Sequence, residues 1–162
     1  MSFDFTTLVT DRTQSDVQRV RSVAAKIING TASAAEIAEW NAANLTGAYN
    51  YTDLNRVTAA IEALKTALNG YGYAVPGLRP FRVWYEADIP TPELMAAHLA
   101  NVSAIRSVLD MLPTTPAVPA DMERMTTDKA NAIERILADI NTLIHNMIAA
   151  WFYSGEIYSG EV

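Results

Sequence analysis

Apolar residues recur at intervals of three and four in five stretches of this chain, and each stretch carries its own start or stop signals. From about Thr13 to Asn29, Val17, Val20, Val23, Ala24, Ile27 and Ile28 share one helix face, while Arg19, Arg21 and Lys26 lie off it. Thr13 is the expected N-cap, Asp16 suits the positive helix end, and Gly30 stops the run. A short second helix has Ser33 and Glu36 as a capping box, Ile37 and Trp40 as its buried side, and Leu45-Thr46-Gly47 as its end. The third is the clearest. Thr52 caps it, Asp53 follows, and Leu54, Val57, Ile61, Leu64 and Leu68 form one narrow stripe up to Asn69-Gly70.

The fourth helix opens with Thr91 as cap, Pro92 at the first position and Glu93 behind it. Met95, His98, Val102, Ile105, Leu109 and Leu112 carry it to Pro113. The last runs from near Thr127-Asp128 to about Trp151. Ile133, Ile136, Leu137, Ile140, Leu143, Ile144, Met147, Ile148 and Trp151 cover one face, with Glu134, Arg135, Asp139, Asn141, Thr142 and Asn146 on the other. A faint echo links two helices: Thr52-Asp53 precedes Asn55 and Val57, and Thr127-Asp128 precedes Asn131 and Ile133.

Between these stretches the pattern changes. Residues 1–12 read as an extended arm in which Phe3 and Phe5 alternate with polar residues, and it must lie on an apolar surface, its own bundle or a neighbouring subunit. Residues 71–90 hold Pro76, Gly77, Pro80 and Pro90 and read as a linker, with Phe81 to Tyr85 having the composition of a short strand. After Trp151 a five-residue unit repeats, Tyr153-Ser-Gly-Glu-Ile then Tyr158-Ser-Gly-Glu-Val, which predicts an irregular or β-like tail. The expected fold class is all-α: a bundle of about five helices, four long and one short, in one domain over 1–162. Its parts are the arm (1–12), a first helical part (13–70), the linker (71–90), a second helical part (91–151) and the tail (152–162).

Composition mostly subtracts. With no Cys and only His98 and His145, thiolate zinc sites, iron–sulfur clusters, a Cys nucleophile and all-histidine metal sites are excluded. The net charge of −6 argues against a nucleic-acid binder, which needs a basic face. That excess lies wholly in residues 82–162, with 5 basic and 11 acidic residues, whereas residues 1–81 balance at 7 and 7. The start, Met-Ser-Phe-Asp-Phe, has an acid where a signal peptide needs a base, and no apolar run approaches the ~20 residues of a membrane span. His98 falls in an apolar stripe as a core histidine, its ring nitrogens bonding locally, and His145 on a polar flank. Met95 and Thr142 occupy the positions three before them, so the Glu-x-x-His spacing of bundle metal sites is missing. No phosphate loop, nucleophile elbow or zinc-protease motif occurs. The reading is therefore no enzyme, with no catalytic, cofactor or metal residues.

Aromatic residues cluster more than acids do. Tyr49, Tyr51, Tyr71 and Tyr73 flank the third helix and suit bundle ends. Phe3 and Phe5 in the arm, Trp84 and Tyr85 in the linker, and Phe152, Tyr153 and Tyr158 in the tail are the candidate interaction residues. Exposed aromatics are also what a carbohydrate or cell-surface binding module would use.

Several strings resemble a known domain: Thr10-Asp-Arg-Thr13, Gly47-Ala-Tyr-Asn-Tyr-Thr-Asp-Leu-Asn-Arg-Val57, Asp88-Ile-Pro-Thr91, Pro113-Thr-Thr-Pro116, Ala130-Asn-Ala-Ile-Glu134 and Trp151 to Glu161. Together, in this order, they resemble a helical domain of prophage-encoded virion proteins from the tail or baseplate region in Gram-positive gut bacteria. The resemblance implies a non-enzymatic structural or assembly module that contacts other virion proteins and forms a homo-oligomer; the charge and the lack of an apolar span add the expectation of no nucleic-acid and no membrane partner. It also implies synthesis in the bacterial cytoplasm followed by incorporation into a virion, and it carries no catalytic residues with it.

Overall fold

Five α-helices form among the described residues: α1 Gln14–Ile28, α2 Ala34–Asn41, α3 Tyr51–Gly70, α4 Pro92–Arg106 and α5 Thr127–Tyr158, after a single 3-10 turn at Phe5–Thr7. The computed structural model describes residues 3–158, and side chains through residue 150. No strand forms among the described residues, so the β-type composition of Phe81 to Tyr85 ends as irregular chain.

The helix starts follow local chemistry. Thr13 and Ser33 close full capping boxes with Asp16 and Glu36. Thr91 accepts the Leu94 N–H, with Pro92 just inside the helix. The cap of α3 lies two residues earlier than expected: Asn50, not Thr52, caps it, in a box with Asp53. Asn50 does this better because its carboxamide oxygen accepts both the Thr52 N–H at 2.8 Å and the Thr52 hydroxyl at 2.7 Å. α4 stops at Arg106, short of Pro113, leaving Leu112 exposed.

Three helices make the core. α3, α4 and α5 pack on one another, burying Val57, Ile61, Leu64 and Leu68 against Val102 and Ile105 and against Ile133, Ile136, Leu137, Ile140 and Ile144. The apolar stripe of α3 is thus buried along its whole length. At 32 residues α5 is about 48 Å long at 1.5 Å per residue, and it continues to Tyr158 instead of ending near Trp151. The helical backbone therefore enters the segment expected to be irregular; the rest of the tail, 159–162, lies outside the described residues.

α1 and α2 pack as a side pair, joined by Arg19–Glu39 and Lys26–Glu36 ion pairs. Only Val23 of the expected α1 face is fully buried, and Ile28 is 83% exposed. The pair is held to the bundle at Gly47. A Cβ there would lie 2.2 Å from the Asp16 carbonyl carbon and oxygen and 2.5 Å from the Val17 nitrogen, so only glycine permits this approach. The N-terminal arm settles on its own bundle: Phe3 and Phe5, in edge-to-face contact at 4.9 Å, and Leu8 pack against the core.

Candidate functional site

Two features stand out once the helices are in place, a buried charge network and an open apolar groove. The network joins four charged side chains. Arg12 donates to Asp53 at 2.8 Å and to Glu134 at 2.6 Å. Arg56 reaches Glu134 at 2.8 and 2.9 Å and also pairs with Asp53. Glu134 is fully buried and also accepts the Val9 N–H at 2.7 Å. The second Asp53 oxygen takes the Asn50 N–H at 2.9 Å in the α3 cap. Arg12 also donates to the carbonyls of Val9 and Thr46, and its guanidinium lies 5.5 Å from the Tyr49 ring centre.

Charges in this network sum to zero and its carboxylate oxygens are engaged, which is what lets four ions sit in a low-dielectric interior. Burial works to lower the Arg56 pKa, but Glu134 and Asp53 more than reverse it, and the net shift is upward. Burial first, then the negative charges of Glu134 and Asp53, pushes the Tyr49 phenol upward, and its hydroxyl finds no partner among the described residues. A carboxylate filled by fixed donors has no lone pair free to take a substrate proton. The arrangement ties the arm, the 42–50 loop, α3 and α5 together.

Three asparagines complete the anchoring of the irregular segments. The Asn131 carboxamide accepts the Arg12 N–H and donates to the Arg12 carbonyl, both at 2.9 Å. Asn55 holds Trp84 the same way, at 2.8 Å each. Asn101 holds Arg79, at 2.6 and 3.3 Å. Each side chain thus offers a loop residue the paired donor and acceptor that a neighbouring strand would supply. At roughly 0.5–1.5 kcal/mol per hydrogen bond, each clasp contributes about 1–3 kcal/mol.

The groove lies between the α2–α3 loop, the linker, the start of α4 and the connection before α5, with a volume of about 790 Å³. Leu45, Leu54, Trp84 and Leu99 are its buried floor, and Trp40, Tyr51, Met95, Met122 and Met125 line it above. Its charged lining residues are Glu86, Asp88, Asp121 and Glu123, with no Lys, Arg or His among the described residues that line it. Asp88 pairs with Arg82 and Asp121 with Lys129, whereas Glu86 and Glu123 have no ion-pair partner among the described residues.

The candidate interaction residues divide. Tyr85 is 66% exposed and lines the groove. Trp84 is only 3% exposed: Asn55 clasps its backbone and the Arg82 guanidinium covers its ring at 4.8 Å. This corrects the expectation of a solvent-facing tryptophan. Phe3 and Phe5 are spent largely on the chain's own core. The side chains of Phe152, Tyr153 and Tyr158 lie outside those described. Trp40, assigned to a buried side in the sequence pattern, is 42% exposed at the groove.

His98 is a core histidine as its stripe position predicts, but its Nε2 has no partner among the described residues, and burial lowers its pKa to about 4. His145 is exposed, with Nδ1 2.7 Å from the Asn141 carbonyl. Among the described residues no three His, Asp or Glu side chains gather as a metal site, and no helix is long and apolar enough to cross a membrane.

Among the described residues, fold and site together describe a helical bundle with a charge-locked interior and a large apolar groove. In comparisons with known proteins, no protein family, no curated protein and no solved structure matches this chain.

Proposed function

We propose that this chain is a non-enzymatic structural or assembly module of a phage virion, of the tail or baseplate region, acting through protein–protein contacts. The observation that carries the contact function is the groove: about 790 Å³ of mostly apolar, aromatic and methionine-rich surface left open, with Trp40 and Tyr85 exposed beside it. Surface of this composition is characteristic of interface cores. The carboxylates most deeply buried, Asp53 and Glu134, are saturated by structural donors, which favours packing over proton transfer. The virion assignment rests on the sequence resemblance.

That resemblance includes the Gly47–Val57 string, and the structure gives its residues work: Gly47 seats α1, Asn50 caps α3, Asp53 and Arg56 enter the network, and Asn55 clasps the linker. The alternative, a carbohydrate-binding module, is weakened by the burial of Trp84 and retains Tyr85 and Trp40 as stacking surfaces. Mass spectrometry of purified particles from an induced lysogen tests the proposal. The chain is expected among the particle proteins, in multiple copies as a homo-oligomer; its absence from them removes the virion assignment.

A further inference from the structure

The groove's lining says what kind of surface completes it. Its charged side chains are all acidic, and two of them, Glu86 and Glu123, have no ion-pair partner among the described residues. An occupant must therefore be apolar in the middle and basic at its edges. The carboxamide in the lining, Asn50, is already used, donating to the Ala43 carbonyl and accepting the Thr52 N–H, so it is not free to clasp an incoming backbone. No sheet edge exists among the described residues to pair with an extended segment. A helix satisfies its backbone internally and needs only side-chain complementarity. Met95, Met122 and Met125 supply the unbranched, polarizable surface that adapts to such a partner.

We propose that the groove binds one amphipathic α-helix of another protein, its apolar face on Met95, Met122 and Met125 and its Lys or Arg flanks beside Glu86 and Glu123. This rests on the contact function proposed above and names its partner. The chain's own tail is a poor occupant from a second copy, because residues 152–162 carry Glu156 and Glu161 and no base.

The test uses the full chain with carbon-13-labelled methionine methyls and a designed Leu/Lys amphipathic peptide of about 18 residues, long enough to hold a helix. Expected are shifts at Met95, Met122 and Met125 but not at Met111 or Met147. Binding should be at least about tenfold tighter than for the matching Leu/Glu peptide, and at least about fivefold weaker in the Glu86→Gln/Glu123→Gln variant. Three results would overturn the proposal: equal binding of a scrambled Leu/Lys peptide, undiminished binding by the double variant, or shifts that extend equally to Met111 and Met147. Dilution-dependent shifts of the groove methionines without peptide would assign it to a second copy instead. A cationic detergent monomer giving the same shifts at lower concentration than the peptide would make it a small-molecule pocket. Helix binding by a chain absent from phage particles would refute the virion assignment alone, while a silent groove in a particle-borne chain would refute only the helix partner.

Discussion

Replacing Glu134 by Leu removes one charge from a network in which Glu134 and Arg12 are almost wholly buried. Glu134 accepts from Val9 at 2.7 Å, from Arg12 at 2.6 Å and from Arg56 at 2.8 and 2.9 Å. Without it, Arg12 and Arg56 face Asp53 alone, and Arg12, with its side chain 2% exposed, cannot turn to solvent. Breaking a buried pair by removing one partner costs about 3–5 kcal/mol. Against a total stability of about 5–15 kcal/mol, that is a large share, and it corresponds to a melting temperature lower by roughly 6–20 °C. Urea unfolding followed by far-ultraviolet circular dichroism measures it, with the denaturant slope unchanged.

The sharper arm adds Arg12→Met. The double variant leaves Arg56 paired with Asp53 and restores neutrality, so it should be more stable than Glu134→Leu alone by about 1–2 kcal/mol. A loss under about 1 kcal/mol for the single change, or strict additivity in the pair, would refute the claim that these charges are interdependent.

Gly47→Ala should destabilise by about 1–3 kcal/mol in the same titration, because its Cβ meets the Asp16 and Val17 backbone at 2.2–2.5 Å. A neutral result would show that α1 can shift freely. Ala43, with a φ of 53° at the end of α2, occupies a left-handed position, and Ala43→Gly should raise stability by about 0.5–1 kcal/mol, read as a higher melting temperature. His98 has a folded pKa near 4 against 6.5 unfolded, so the unfolded chain binds more protons in that window and stability falls as pH drops from about 6.5 toward 4. The effect approaches about 3 kcal/mol, and His98→Leu should flatten it; an unchanged pH profile in that variant would place the sensitivity elsewhere.

Periodicity and caps made the helices legible: the Thr13, Ser33 and Thr91 starts and the α3 stripe all stand where local chemistry puts them. What periodicity reads is the contrast between apolar and polar positions, and it fails where a polar residue is buried with a partner from far away. Glu134 sits among residues assigned to a solvent face, yet it is the most enclosed of the charges, because Arg12 arrives from 122 positions earlier. The echo between Asn55 and Asn131 was visible, but not that both clasp a backbone. Tyr85 stood out in the sequence as an aromatic of the linker and is exposed; the Met95, Met122 and Met125 surface was not legible, since two separate segments of chain assemble it.

The Arg12–Glu134 contact also orders events in time. At about 5–20 residues per second, the ribosome makes Arg12 roughly 6–24 s before Glu134. Once α3 has been made, the nascent chain holds two guanidiniums and one carboxylate of the future interior, and an α3 stripe with no α5 to cover it. The residues that precede α5, 1–126, therefore wait without the partner that completes their core until that helix is synthesised.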